Sequence, residues 1–410
     1  MINFKNFDFS DDNTRESVRI FLKKKYEKKC QSYRKKGKEY VFSDQQKYAG
    51  EIYNNLKNDC YINNFVAPLQ WGKTGVFIHL IHLCCTEKDI FINPNNVHVI
   101  SGMNDNEWKS QTQERLLPYF RSNVHHLHDI SKLDLSHIED SIIIIDECQI
   151  ANQINQSISK MFDRSQIRNI DDLIRRNIRI IQISATPDNI IIDSNNLDTR
   201  YFKRNLVKYE DIMNSNSYIF FTKIEKEFLK ESRNLIHDDA LNELFEDISS
   251  FSEPKWHIIR MPGIANNNYP EIYRRIMDKI YDYDYNVRFY DSNNKLDLTL
   301  TSDEVLLTKP RRHTLILIKS KWRAAKSFTD KNIGVVFDRY TKYVQKDSVE
   351  VQSLAGRMIG HGKRQHHDKP IIYTNLQSVE NYINLFQNSF DYSSSDWKLK
   401  YFETFNKKFQ

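Results

Sequence analysis

Ser141-Ile-Ile-Ile-Ile-Asp146 places four isoleucines in a row with no polar residue between them. A strand with one face in water alternates apolar and polar side chains, so an unalternated run of β-branched residues has to be covered on both faces. Runs of the same kind recur at Asn64-Phe-Val-Ala-Pro68, Val97-His-Val-Ile-Ser101 and Ile178-Arg-Ile-Ile-Gln-Ile-Ser184. A second set follows at Trp256-His-Ile-Ile-Arg260, Tyr285-Asn-Val-Arg-Phe-Tyr290, Thr314-Leu-Ile-Leu-Ile-Lys319, Asn332-Ile-Gly-Val-Val-Phe337 and Pro370-Ile-Ile-Tyr-Thr374. Polar, helix-like stretches separate them, which is the pattern of parallel sheets covered by helices. The expected fold is α/β, with two successive domains in the 410 residues. Its expected divisions are a basic N-terminal extension at 1–40, a first domain at 41–209, a charged helical linker at 210–253, a second domain at 254–380 and a C-terminal segment at 381–410.

Composition narrows the class. With 40% hydrophobic and 28% charged residues the chain has material for a core and is not a disordered one. No run approaches the roughly 18–20 apolar residues of a membrane span, and the start, MINFKNFDFSDD, has no basic segment followed by an apolar one. The expected location is therefore intracellular, without membrane insertion. Five cysteines (Cys30, Cys60, Cys84, Cys85, Cys148) show no C-x-x-C or Cys/His ligand spacing and read as reduced thiols. The net charge of +6 suits a polyanionic partner without demanding one. Its densest stretch, Phe21-Leu-Lys-Lys-Lys-Tyr-Glu-Lys-Lys-Cys30 and Arg34-Lys-Lys-Gly-Lys38, reads as a solvated helix, with a phosphate-backbone contact as the other reading. Glycine is scarce, 10 in 410, so each one is informative.

Chemistry concentrates at the ends of the apolar runs. Ala67-Pro-Leu-Gln70-Trp-Gly72-Lys73-Thr74-Gly75 follows the strand-like Phe65-Val66 and precedes the helix-like Val76-Phe-Ile-His-Leu-Ile81, the order of a phosphate-binding loop, with Ala67 where such loops usually begin on glycine. Gly72 lets backbone amides approach phosphates, Lys73 reaches the β/γ oxygens and the Thr74 hydroxyl ligates Mg²⁺; Gln70 and Gly75 complete the nucleotide-binding candidates. The isoleucine run ends in Asp146-Glu147-Cys148-Gln149, which sets two acids at the carboxyl edge of a parallel sheet, where ligands bind. Asp146 would hold Mg²⁺ through a water, and Glu147 would orient and deprotonate the water that attacks the γ-phosphate.

Two further pieces, Ser184-Ala-Thr186 and Gln352-Ser-Leu-Ala-Gly356-Arg357, follow in order. Together these segments resemble the superfamily 2 helicases, whose motifs run GKT, DEx[HDQ], SAT and a Gln/Gly-Arg motif; here the second reads Asp-Glu-Cys-Gln. The resemblance spans roughly 42–380 and implies two tandem RecA-like domains of the P-loop NTPase class. It implies that Arg357, with Gln352, serves the γ-phosphate as an arginine finger does. The chain departs from the pattern in the Gln352 spacing and in Gly360, where a second Arg is common, which leaves Lys363 and Arg364 as alternatives. The resemblance further assigns Gln46, ahead of Gln45, to the adenine edge, and Gln149, Ser184 and Thr186 to coupling. It assigns Gly102, Trp108 and Lys109, and in the second half Lys319 and Arg323, to nucleic-acid backbone contacts, with Asp338-Arg339 near the family's fifth motif.

The implied activity is that of an ATP-dependent, Mg²⁺-requiring helicase or translocase on DNA or RNA. The alternative is a nucleotide-switched remodelling subunit that acts with a protein partner without unwinding. A P-loop kinase is disfavoured because it would not need a second half carrying Gln352 and Arg357. The Ser101–Lys109 and Asp146–Ala151 runs look most like helicase-type ATPases of large cytoplasmic DNA viruses, which implies viral transcription or replication proteins as partners and the cytoplasm, a virion or a viral factory as the setting.

Overall fold

The computed structural model describes residues 4, 7–263, 267–291, 294, 296–297, 300–319, 329–364 and 368–410. The chain forms two compact units: Met1–Pro68, Gly72–Val207 and Tyr401–Gln410 make the first, and Leu69–Trp71 with Lys208–Lys400 the second.

The first unit is built on β1 (Ile62–Val66), β2 (Val97–Ile100), β3 (Val124–His125), β4 (Ser141–Asp146), β5 (Ile178–Ser184) and β6 (Phe202–Leu206), in the order β3-β2-β4-β5-β1-β6. All its pairings are parallel, so every strand delivers its carboxyl end to one edge. The isoleucine run sits near the middle of the sheet as β4, and Ile142–Ile145 are wholly buried, as their lack of alternation requires. β5 separates β1 from β4; Val66 is level with Ser184, and Asp146 with Ile183. That register brings the loop after β1, the end of β5 and the acidic end of β4 side by side.

Helices α1 (Asp12–Arg34), α2 (Ser43–Lys57) and α3 (Lys73–Thr86) pack together in this unit, and α4 (Asn106–Arg115) follows β2. The basic extension is thus a docked helix, with Val18, Leu22 and Tyr26 buried. Residues 401–410 also belong here. Phe405 and Phe409 sit in one apolar cluster with Ile143, Ile145, Phe162 and Ile180. Around them Thr404 donates through N and Oγ1 to the buried Asp193, at 2.6 and 2.7 Å. Asn406 and Gln182 exchange carboxamide bonds at 2.5 and 3.1 Å.

The second sheet has the order β10-β11-β9-β12-β14-β8 and is parallel throughout. Its strands are β8 (Leu229–Glu231), β9 (Trp256–Arg260), β10 (Asn286–Tyr290), β11 (Thr314–Ile318), β12 (Ile333–Phe337) and β14 (Ile371–Thr374). A separate antiparallel pair joins β7 (Tyr218–Ile219) to β13 (Gly360–His361). The stretch 210–253, expected as a linker, instead supplies the edge strand β8 and the helix Asp238–Ser249, whose Leu244, Phe245 and Ile248 enter the second core. Likewise 381–410 is not one segment: the helix Leu376–Gln387 lies in the second unit and residues 401–410 in the first. Among the described residues no helix is long and apolar enough to cross a membrane.

Candidate active site

The loop after β1 is held to β5 by a bond from Ala67 N to Ser184 O of 3.2 Å. Left-handed backbone falls on Gln70 (φ 56°) and Gly72 (φ 90°), not on Ala67, so the first loop position has no need of glycine. Gly72 caps α3, and Lys73 is that helix's first residue, with its amide end turned to the loop. A Cβ at Gly72 or Gly75 would overlap the carboxamide of Gln45. Gln45 is buried and its Oε1 accepts from Phe42 N at 3.0 Å. Gln46, preferred from the sequence, is exposed and donates to Val41 O at 3.2 Å, so the glutamine brought to the loop is its neighbour. The signal for this was present: Gln45, Tyr48, Ala49, Ile52 and Leu56 form the buried stripe of α2 at helical spacing, and Gln46 lies off it.

At the end of β4, Asp146 Oδ2 accepts the indole N–H of Trp108 at 2.9 Å. Glu147 has a left-handed φ of 51° and its Oε1 lies 3.9 Å from Lys73 Nζ. Gln149 Nε2 donates to Glu147 Oε2 at 2.6 Å, and Ser184 Oγ donates to Gln149 Oε1 at 2.6 Å. Thr186 N in turn donates to Ser184 Oγ at 3.0 Å. A continuous relay therefore runs from Thr186 through Ser184 and Gln149 to Glu147, across the ends of two neighbouring strands. Burial, then the neighbouring Glu147 carboxylate, pushes Asp146 up to about 6, against the opposing pull of Trp108 and Lys73. Two buried carboxylates facing one lysine leave an excess of negative charge that fits a cation. Among the described residues no group of three or more His, Cys, Asp or Glu could hold a metal, so an ion at Asp146 needs oxygen ligands from elsewhere, such as Thr74 and phosphate.

Trp108 and Lys109 were expected at nucleic acid, but the structure gives both other partners. Trp108 is buried on Asp146, and Lys109 forms a 2.7 Å ion pair with Asp129, which also accepts from His126 N at 3.0 Å. Gly102 is a point of close backbone approach: a Cβ there would overlap Ile150 O and lie 2.6 Å from the Ala151 Cβ. The Asp105 cap of α4, which accepts from Glu107 N and Trp108 N, marks the helix start in the sequence; which carboxylate the indole meets is a tertiary matter.

In the second unit the carboxyl ends of β9, β11 and β12 and the segment 349–353 line a cavity of about 440 Å³ that includes Arg260, Lys319, Asp338, Arg339, Glu350 and Gln352. Arg260 Nε donates to Asp338 Oδ1 at 2.8 Å, and both residues are buried. Asp338 also accepts from Ser353 Oγ and Leu354 N, each at 2.7 Å, and so fixes the turn between Gln352 and Arg357. Arg357 lies in the short 3-10 turn Ala355–Arg357, is buried, and approaches Gln352 O at 3.4 Å. Of the alternatives, Lys363 is buried and its pKa is lowered by that burial, while Arg364 donates to Asp330 through N at 2.6 Å and to Pro370 O through Nη1 at 2.9 Å. Arg323 lies outside the described residues. Arg260 was missed, although an apolar strand that ends in an arginine is the cationic counterpart of β4.

Solved structures are similar to this chain. The DEAD-box helicase Mss116 bound to ssRNA and UDP-BeF is similar over 88% of this chain and 75% of that one, at 13% identity with a TM-score of 0.51. S. cerevisiae Dbp5 bound to RNA and ADP BeF3 matches over 81% and 83%, at 13% identity with a TM-score of 0.43. The fold is a pair of RecA-like α/β domains. No family model and no curated protein matches the chain.

Within the first unit, then, the structure brings together Lys73, Asp146, Glu147, Gln149, Ser184 and Thr186, and adds Gln45 and Trp108. Such a group can bind polyphosphate at a helix amino end, position a water against Glu147 and pass a change at Thr186 to that carboxylate.

Proposed function

We propose that this protein is an ATP-dependent, Mg²⁺-requiring nucleic-acid helicase or translocase. The observation that carries this reading is the relay from Thr186 to Glu147, which ends on the carboxylate facing Lys73. A tie between the general base and a neighbouring strand end supports coupling of hydrolysis to a change outside the nucleotide site. Lys73 binds the β/γ oxygens. Asp146 and Thr74 would hold Mg²⁺, which would neutralise charge on the phosphates. Glu147 takes the proton of the attacking water, with Gln149 holding its second oxygen. Arg357 and Gln352 serve the γ-phosphate, a role supported by the resemblance of the Gln/Gly-Arg motif. Gln70 and Gly75 complete the phosphate loop, and Lys319, with Arg323, follows a nucleic-acid backbone. The likeness of Ser101–Lys109 to ATPases of large cytoplasmic DNA viruses supports a setting in viral transcription or replication in the cytoplasm.

Steady-state ATP hydrolysis by wild type, Lys73→Ala and Glu147→Gln, alone and with single-stranded DNA, single-stranded RNA or duplex, tests the proposal. Wild-type turnover should rise several-fold with one polymer, and either substitution should lower it by about 100-fold or more. Hydrolysis indifferent to every polymer would favour the partner-dependent switch, and undiminished hydrolysis in the variants would defeat the site assignment.

A further inference from the structure

We propose that the outer face of α1 and the turn after it form a second nucleic-acid contact, carried by the first unit, that grips phosphate backbone without reading sequence. The inference rests on the nucleic-acid reading above. Residues 23–38 contain nine Lys and Arg and one Glu, a net charge of eight, whereas the whole chain carries +6. The rest of the molecule is therefore slightly acidic on balance, and the net positive charge resides in this one segment.

Two of the nine cations are committed internally. Lys29 Nζ donates to the carbonyls of Glu114, Arg115 and Leu116 at 2.8–3.0 Å, and Lys25 Nζ lies 5.1 Å from the Phe21 ring centroid. Lys24, Lys28, Arg34, Lys35, Lys36 and Lys38 are exposed and form no ion pair among the described residues. The backbone beneath them is already ordered: Tyr26 bonds His79 Nδ1 at 2.8 Å and stacks on His82 at 3.9 Å, so binding need not immobilise a loose tail. Lys24 and Lys28 are about 6 Å apart along the helix and Lys28 and Lys35 about 10 Å, close to two and three phosphate repeats of about 3.4 Å. A lipid surface is a poorer fit, since the apolar stripe of α1 is spent on the core and Ile20 is its one exposed large apolar residue. Phosphate-backbone recognition by point charges, with a single Arg among them, carries no base preference.

The test compares wild type with Lys24→Glu/Lys28→Glu/Lys35→Glu by fluorescence anisotropy on a labelled 20-nucleotide strand and a 20-base-pair duplex, from 50 to 200 mM salt. The triple variant should bind at least tenfold more weakly at low salt. Its log K against log salt slope should be shallower by about 2–3, and hydrolysis without nucleic acid should be unchanged. Lys24→Arg/Lys28→Arg/Lys35→Arg should bind as wild type does. Equal affinity and slope in wild type and the Glu variant would overturn this surface while leaving strand-stimulated hydrolysis, and the function above, standing. Wild type that binds neither polymer, or that pellets only with phosphatidylserine vesicles, would overturn both.

Discussion

Trp108 shows how far one donor reaches. Its indole N–H meets a carboxylate that burial has already pushed up, and a hydrogen bond to a charged group is worth about 1.5–3 kcal/mol. Trp108→Phe keeps most of the packing and removes the donor, so turnover measured across a range of Mg²⁺ should fall by about tenfold or more and the melting temperature by about 3–10 °C. That Lys73, Asp146 and Glu147 come together was legible in the sequence because residue type and place at a strand end coincide. Trp108 was not, because nothing within α4 says which carboxylate will lie across from it. The choice between Gln45 and Gln46 was legible in principle, since neighbours on a helix point about 100° apart and only one can lie on the buried stripe.

Among the elements, β4 and β5 act as a pair, joined at their ends by Gln149. Gln149→Ala breaks the link to Ser184 and frees one oxygen of Glu147; hydrolysis without polymer should persist, and stimulation by a strand should drop to near onefold in the same assay. The buried His98 and the half-buried His79, His82 and His125, on α3, β2 and β3, give these elements an acid limit. Burial lowers His79 and His125 to about 4, and His82 and His98 to about 3. Below their ordinary value near 6.5 the unfolded chain takes up protons that the folded state refuses, so stability is lost as pH falls. Asp146, raised to about 6, works the other way between roughly pH 6 and 4 and offsets one of the four. The histidines outnumber it, so stability falls on balance as pH is lowered over that window, and thermal scans at pH 7 and pH 5 should show the first unit melting earlier at pH 5. The central strands of both sheets were readable as unbroken apolar runs. β3, with two residues, and β8, with three, were not, because edge strands that short leave no periodicity to read.

On the scale of the whole molecule the two units are not two consecutive stretches of chain. Phe405 and Phe409 complete a core whose other members all lie before residue 203, and Asp193 and Gln182 find partners in Thr404 and Asn406. Deleting residues 401–410 removes two core phenylalanines, about 3–5 kcal/mol each by analogy with Phe→Ala, and leaves buried polar groups unpaired. Against a typical stability of about 5–15 kcal/mol, that loss should bring the first unit close to unfolding at 25 °C. A truncated protein that melts within a few degrees of wild type would show the tail to be dispensable. A sequence pattern of aromatics and serines did not announce this role, since the residues it depends on are more than 200 positions away. The same arrangement bears on how the protein is made. A ribosome delivers the first sheet early, yet the last pieces of its core emerge only after the whole second unit has been translated. At about 5–20 residues per second that interval is roughly 10–40 s, during which the nascent first unit exposes the groove that Phe405 and Phe409 will fill. The unit born first is therefore the one finished last, and it is the stage at which a chaperone would have something to hold.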